Sequence, residues 1–138
     1  MTIINEQFII NTEGNTDIID ITKQVQNCVY QHELKDALVC VSTQGSTSSI
    51  TTIEYEQGLV KDLREALERI APSGQEYHHD EIWHDGNGYA HIRSALMGSS
   101  VNIALKDGLL NLGTWQQIIF LDFDNKPRSR NITVQIIS

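Results

Sequence analysis

Cysteine, proline and long apolar runs are all scarce in this chain, which has 2 Cys and 2 Pro in 138 residues. Cys28 and Cys40 fall in different predicted elements and form no Cys-x-x-Cys pair, so neither a thiolate zinc knuckle nor a disulfide framework is expected. No window approaches the roughly 18 consecutive apolar residues of a membrane-spanning helix. Met1-Thr2-Ile3-Ile4-Asn5-Glu6 has no basic region followed by an apolar core, so no secretory signal is expected and the cytoplasm is the default location. Positive charge is also short: 10 basic side chains face 18 acidic ones, a net charge of −8. Nucleic-acid binding draws much of its affinity from neutralising phosphates, so this balance argues against such a partner. The arginines are scattered apart from Arg128-Ser129-Arg130. Internal repeats, low-complexity tracts and Pro/Ser-rich linkers are missing too, which leaves one expected domain over residues 1–138.

What is present reads as alternating strands and helices. Phe8-Ile9-Ile10 and Ile18-Ile19-Asp20-Ile21 are short β-type runs on either side of the turn-like Glu13-Gly14-Asn15. Thr22 stands where a helix N-cap belongs, and Val25, Cys28 and Val29 follow at helical spacing. Ala37–Ser42 predicts a buried strand, and the hydroxyl-rich, β-branched run from Ser46 to Ile53 predicts another. Leu59, Leu63, Ala66, Leu67 and Ile70 predict one apolar face on a helix from about Gly58 to Ile70, stopped by Pro72 and Gly74. Lys106-Asp107-Gly108 signals a tight hairpin between Ser100–Leu105 and Leu109–Leu112. Asp124-Asn125-Lys126-Pro127 suggests a second hairpin joining Trp115–Phe123 to Ile132–Ile137. The expected class is α+β, a mostly antiparallel barrel-like or sandwich sheet with two main helices on one side.

Chemistry concentrates in Tyr77–Arg93, which holds four of the 5 histidines, three carboxylates and Asn87-Gly88. The segment lacks clean apolar periodicity and reads as a surface or cleft element. Imidazole binds Zn²⁺ and related ions, and a neighbouring carboxylate such as Asp80 can fix its tautomer. Imidazole also titrates near neutral pH and serves as general acid or base. The separation of His79 from His91 matches no closed zinc motif, so metal ligation, acid–base work and an ordinary hydrogen-bonded loop all remain open at this point. Gly45-Ser46-Thr47-Ser48-Ser49 offers hydroxyls and amides to an anion but lacks a Walker ending. Glu54 and Glu56 alternate along the expected strand and should share a face. Trp115 is expected in a core or subunit interface, and Asp62 reads as a surface charge.

Several of these stretches together resemble the YjbQ-type family, sometimes described as secondary thiamine-phosphate synthases. The matching motifs are Gly113-Thr114-Trp115-Gln116-Gln117-Ile118, Ala95-Leu96-Met97-Gly98-Ser99-Ser100, Asn87-Gly88-Tyr89-Ala90-His91-Ile92-Arg93, Tyr77-His78-His79-Asp80 and the hydroxyl run ending at Glu54. They occur in order along nearly the whole chain. The resemblance implies a barrel-like α+β fold, a homotrimer with clefts between subunits, and a small phosphorylated metabolite as ligand. The activity it implies is a weak transfer of a pyrimidine-methyl group from its diphosphate to a thiazole phosphate, with a non-catalytic metal- or phosphate-binding trimer as the alternative. The site it implies has His79, His91, Glu54 and Asp62 in catalysis and His79 with His91 on a divalent metal (Zn or Mg). Ser46, Thr47, Ser48, Asn87, Gly88, Arg93 and Gln116 would hold substrate. One departure stands out: many relatives carry histidine where this chain has Gly45, which leaves His78 and His84 as the nearby imidazoles able to replace it.

Overall fold

The computed structural model describes residues 1–138. Eight strands and four helices follow in the order β1 (Ile3–Thr12), β2 (Asp17–Asp20), α1 (Thr22–Tyr30), β3 (Ala37–Thr43), β4 (Ser48–Glu54), α2 (Gln57–Ile70), α3 (His78–Trp83), α4 (Gly88–Met97), β5 (Ser100–Lys106), β6 (Leu109–Leu110), β7 (Gln116–Asp122) and β8 (Arg128–Ile137). All pairings are antiparallel and make two sheets, one five-stranded in the order β1-β8-β3-β5-β6 and one three-stranded in the order β2-β7-β4. Together they curl into a half-barrel. The bonds Thr43 N–H to Ser99 O (3.0 Å) and Ile50 N–H to Gly98 O (3.3 Å) stitch β3 and β4 to the end of α4. The expected α+β class holds.

β7 organises the interior because both of its faces are buried. Ile118 and Phe120 point into a core with Val39, Val41, Val134 and the α1 residues Val25 and Val29. Ile119 and Leu121 point the other way, against Val60 and Leu67 of α2 and Tyr89 and Ala90 of α4. The two main helices therefore lie on opposite faces of this strand, α1 on one and α2 on the other, which corrects the expectation that both sit on one side. Strand alternation produces both cores from one uninterrupted apolar run.

Local chemistry explains the element ends. Asp107 (φ 51°) and Gly108 (φ 81°) both lie in the left-handed region, the two-residue turn that matches strand twist, so the Asp-Gly hairpin forms as the sequence predicts. Glu56 does not continue β4. It caps α2 instead, its carboxylate accepting the N–H groups of Gly58 and Leu59. The sequence expectation of a shared strand face for Glu54 and Glu56 is thereby corrected. On α2 the buried residues are Val60 and Leu67, with Leu63 partly covered, while Ile70 is exposed. Thr22 makes no helix cap; its hydroxyl donates to Asp20 Oδ1 (2.7 Å) and accepts the Ile118 N–H (2.8 Å), tying α1 to β7.

The expected hairpin across Asp124–Pro127 is overturned, since β7 and β8 belong to different sheets. Side chains join them there instead of a backbone ladder. Arg130 forks onto Asp122 (2.8 and 2.9 Å), Arg128 reaches Asp124 (3.1 and 3.2 Å), and Thr12 donates to Asp122 (2.6 Å). Asp122 and Asp124 are buried, so each needs such partners.

Candidate metal centre

The histidine-rich segment folds as two short helices joined by a turn. α3 begins after extended Tyr77 with Asp80 and Glu81 in its first turn, where negative charge suits the helix dipole. It ends at His84 in the left-handed conformation (φ 55°), and Asp85-Gly86 reverses the chain into α4. Asp80 then accepts the Gly88 N–H (3.0 Å), pinning the start of α4 to the middle of α3.

This reversal brings His79 of α3 and His91 of α4 together, with ring centroids 4.5 Å apart and planes tilted by 55°. Asp85, on the connecting turn, completes the group, and one donor atom from each of His79, Asp85 and His91 lies within 4.8 Å of the others. His91 Nδ1 lies 2.9 Å from the carbonyl oxygen of Ser46. A carbonyl only accepts, so Nδ1 carries a proton, which in the neutral ring leaves the lone pair on Nε2. His79 Nδ1 is buried and makes no hydrogen bond. It sits 3.4 Å from Asp85 Oδ1, poorly aligned for a hydrogen bond, and 3.6 Å from Asp80 Oδ1, beyond hydrogen-bond distance.

These features fit a bound cation. Zinc bonds of about 2.0–2.2 Å place adjacent tetrahedral donors roughly 3.4 Å apart, the separation of His79 Nδ1 from Asp85 Oδ1. Two imidazoles and one carboxylate suit Zn²⁺ and similar transition ions, whereas Mg²⁺ prefers an all-oxygen shell. An ion would also supply the partner that His79 Nδ1 lacks. His79, Asp85 and His91 would hold such an ion with three protein donors, leaving it able to act on a bound ligand as a Lewis acid. Beside His91 lies a shallow cavity of about 300 Å³ lined by Gly45, Ser46, Ser94, Gly98 and Ser99.

The expected site residues separate into distinct places. His79, His91 and Ser46 converge. Asp85 joins them, whereas His78 and His84 are exposed and stay outside the group. Thr47 is buried and bonded to Asp124 and Arg130. Ser48 is fully buried, its carbonyl accepting the Ser94 hydroxyl (2.6 Å). Asn87 is buried against Asp124 and Asn125. Gly88 serves close packing: a β-carbon there would lie 2.5 Å from Tyr77 Cβ. Arg93 turns inward at 2% exposure, donating to Ala71 O, Thr16 Oγ1 and Glu68. Ser46 is thus the one residue of the expected substrate set that lines the cavity by His91.

Glu54, Gln116 and Asp62 lie elsewhere in the chain. Glu54 ends β4 opposite Gln116 of β7, six residues from Ser48, or about 20 Å along an extended strand. Gln116 is engaged internally, accepting the Gly113 N–H (2.9 Å) and donating to Thr52 (3.1 Å). Asp62 is exposed on α2. The sequence reading did not single out Asp85, although it stands midway between the two histidines beside a turn-forming glycine. It also missed the buried acids, for which Asp122-Phe123-Asp124 facing Arg128-Ser129-Arg130 was an available charge-pattern signal.

An α+β half-barrel with a two-histidine, one-carboxylate group on a helix–turn–helix flank is therefore the class that fold and site define. The chain belongs to the family described as UPF0047 protein YjbQ-like, whose sequence profile matches residues 6–138. It is similar to a UPF0047 protein of Archaeoglobus fulgidus, 41% identical over 93% of this chain and 97% of that one. A UPF0047 protein of Methanothermobacter thermautotrophicus is 32% identical over 99% and 93% respectively. Among solved structures, a YbjQ-like protein of unknown function from Sulfolobus solfataricus superposes with a TM-score of 0.93 at 26% identity, covering 99% of this chain and 98% of that one. An uncharacterized conserved protein of the yjbq/upf0047 family from Clostridium acetobutylicum gives 0.87 at 34% identity, with 96% and 99% covered.

Proposed function

We infer that this protein holds a divalent transition metal, of the Zn²⁺ type, on His79, Asp85 and His91, and uses it to bind a small phosphorylated metabolite. The observation that carries the reading is the buried, unbonded Nδ1 of His79 facing Asp85 and a His91 whose tautomer leaves Nε2 free. A metal there would supply Lewis acidity toward an anionic oxygen. The chain's own part is to present Ser46, Ser99 and small neighbours at the rim, leaving room for a compact anionic group. Arg93 is committed to Glu68 and the interior, so within one chain phosphate charge would fall chiefly on the ion and on backbone and hydroxyl donors.

The activity we propose for this centre is the pyrimidine-methyl transfer that the family resemblance implies. The thiazole nitrogen forms a bond to the methylene carbon as the carbon–oxygen bond to diphosphate breaks, and pyrophosphate leaves with that electron pair. The shortage of free cations at the site is consistent with a slow rate. Homotrimeric assembly belongs to the same proposal. Two separate apolar exposures, Trp115 with Tyr55 at one end and Trp83 with Ile82 and Leu96 on the α3–α4 flank, suit a head-to-tail contact that closes a ring. Such a contact would set the Glu54–Gln116 end of one subunit against another's metal centre.

Titration of untagged, chelator-stripped protein with Zn²⁺ tests the metal reading. One ion per chain is expected, with stoichiometric binding lost in the His79→Ala/His91→Ala double variant. No uptake by the unaltered chain, or equal uptake by the double variant, sinks it. The transfer reaction is tested by incubation with both thiamine precursors: product formation that His91→Ala abolishes supports it, and equal turnover by both proteins removes it.

A further inference from the structure

One buried carboxylate reaches both segments that build the centre. Asp124 Oδ2 accepts the Thr47 hydroxyl (3.2 Å), and Asp124 Oδ1 accepts the Asn87 amide (3.4 Å). Thr47 directly follows Ser46, whose carbonyl sets the His91 tautomer. Asn87 lies two residues after Asp85, and Asn125, which directly follows Asp124, secures the same turn. Its N–H donates to Asn87 Oδ1 (3.1 Å) and its side-chain amide to Asp85 O (2.7 Å). The segments bearing Ser46 and Asp85 come from β3–β4 and α3–α4 and have no covalent reason to keep register. Asp124 is 1% exposed.

We propose that Asp124 is a positioning residue for the metal centre, aligning the Ser46–Thr47 segment with the Asp85–Asn87 turn so that His91 and Asp85 face His79. The inference rests on the metal reading for its consequence, though not for its geometry. Burial by itself works against the charged carboxyl of Asp124. The Arg128 charge, with hydrogen bonds from Arg128, Asn87 and Thr47, outweighs that and holds it below the usual carboxylate range. The ionised form has acceptor capacity for all three partners at once, which a neutral amide lacks. Outer partners of this kind typically change metal affinity by about 10–100-fold when removed.

The test compares Asp124→Asn with Glu68→Gln, which breaks the ion pair to Arg93, a buried side chain whose hydrogen bonds go to Ala71, Thr16 and Glu68 and to no member of the centre. Two quantities are read on each folded protein: Zn²⁺ affinity by competition with a chromophoric chelator, and the ring-nitrogen chemical shifts of His91 in metal-free protein. Asp124→Asn is expected to weaken Zn²⁺ about 10–100-fold and to turn the single Nδ1–H tautomer of His91 into a mixture. Glu68→Gln is expected to lower Tm while leaving both unchanged. Wild-type affinity and tautomer in Asp124→Asn overturn the proposal, as does an equal loss in Glu68→Gln, which would mark general destabilisation. If the unaltered protein takes up no zinc, the metal reading falls, and the His91 tautomer alone decides the role of Asp124. Should Asp124→Asn fail to fold, Thr47→Val removes the arm that leads to Ser46. Thr47→Val must then disturb the His91 tautomer, and its retention overturns the proposal.

Discussion

At the scale of single residues, the polar side chains inside this protein are committed to internal partners, with His79 Nδ1 the exception. Arg93 shows the consequence: a guanidinium expected to meet substrate instead sits over the Tyr89 ring at 4.9 Å and pairs with Glu68 at 2.7 Å. Glu68 in turn accepts the Ser73 N–H (2.7 Å) and hydroxyl (2.9 Å). The Ser73 backbone donor is the largest influence on its carboxyl; with the Ser73 hydroxyl and Arg93 it outweighs desolvation and holds the group below the usual value. A carboxyl depressed in the folded state contributes stability above its unfolded pKa of about 4.3 and loses it as pH falls through the lower folded value. Chemical denaturation between pH 7 and pH 3 should therefore show an acid decline that Glu68→Gln reduces. An unchanged slope in the variant would count against this pairing. Glu68 is half exposed, so solvent screening keeps the effect modest.

At the scale of elements, the α3–α4 turn is the device that brings His79, Asp85 and His91 together. Its geometry depends on Gly88, where an added β-carbon would lie 2.5 Å from Tyr77 Cβ and 2.8 Å from Tyr77 Cγ. Tyr77 is held from behind by its hydroxyl bond to Pro72 O (2.7 Å), so it has little room to retreat. Gly88→Ala should cost about 1–3 kcal/mol through overpacking. It should also widen the α3–α4 angle and weaken Zn²⁺ binding more than the stability loss alone explains. Thermal unfolding and zinc competition on the same sample check both parts. The motif Asn87-Gly88-Tyr89-Ala90-His91 was legible in the sequence as a place of interest. What its glycine and asparagine do, packing and tethering, was hidden, because only folding sets Gly88 against the Tyr77 side chain and brings Asn87 to the distant Asp124.

At the scale of the whole molecule, an acidic surface surrounds a small chain with bulky exposed apolar groups. The net charge is −8, yet Trp83 and Trp115 are 70% and 72% exposed. Exposed tryptophans in separate patches are costly to leave in water and are typical anchors of protein contacts. Sedimentation equilibrium should return about three times the 15.6 kDa chain mass. Trp115→Ala should shift the distribution toward monomer, while a monomeric unaltered protein would remove the assembly reading.

The amino-acid sequence determined the local features by itself: the Asp107-Gly108 turn, the amphipathic helix ending before Pro72, and the β-branched runs that became strands. It also carried the family, because ordered motifs along the chain record a shared fold. These are properties of neighbouring residues, set by backbone preference and side-chain period. Only the tertiary structure decided which histidines meet, that Asp85 rather than His78 or His84 completes the group, and that Glu54 stands at the far end of β4. It alone placed β7 and β8 in separate sheets. Those outcomes depend on which distant side chains satisfy a buried charge or donor, a requirement that arises only once the segments have packed together.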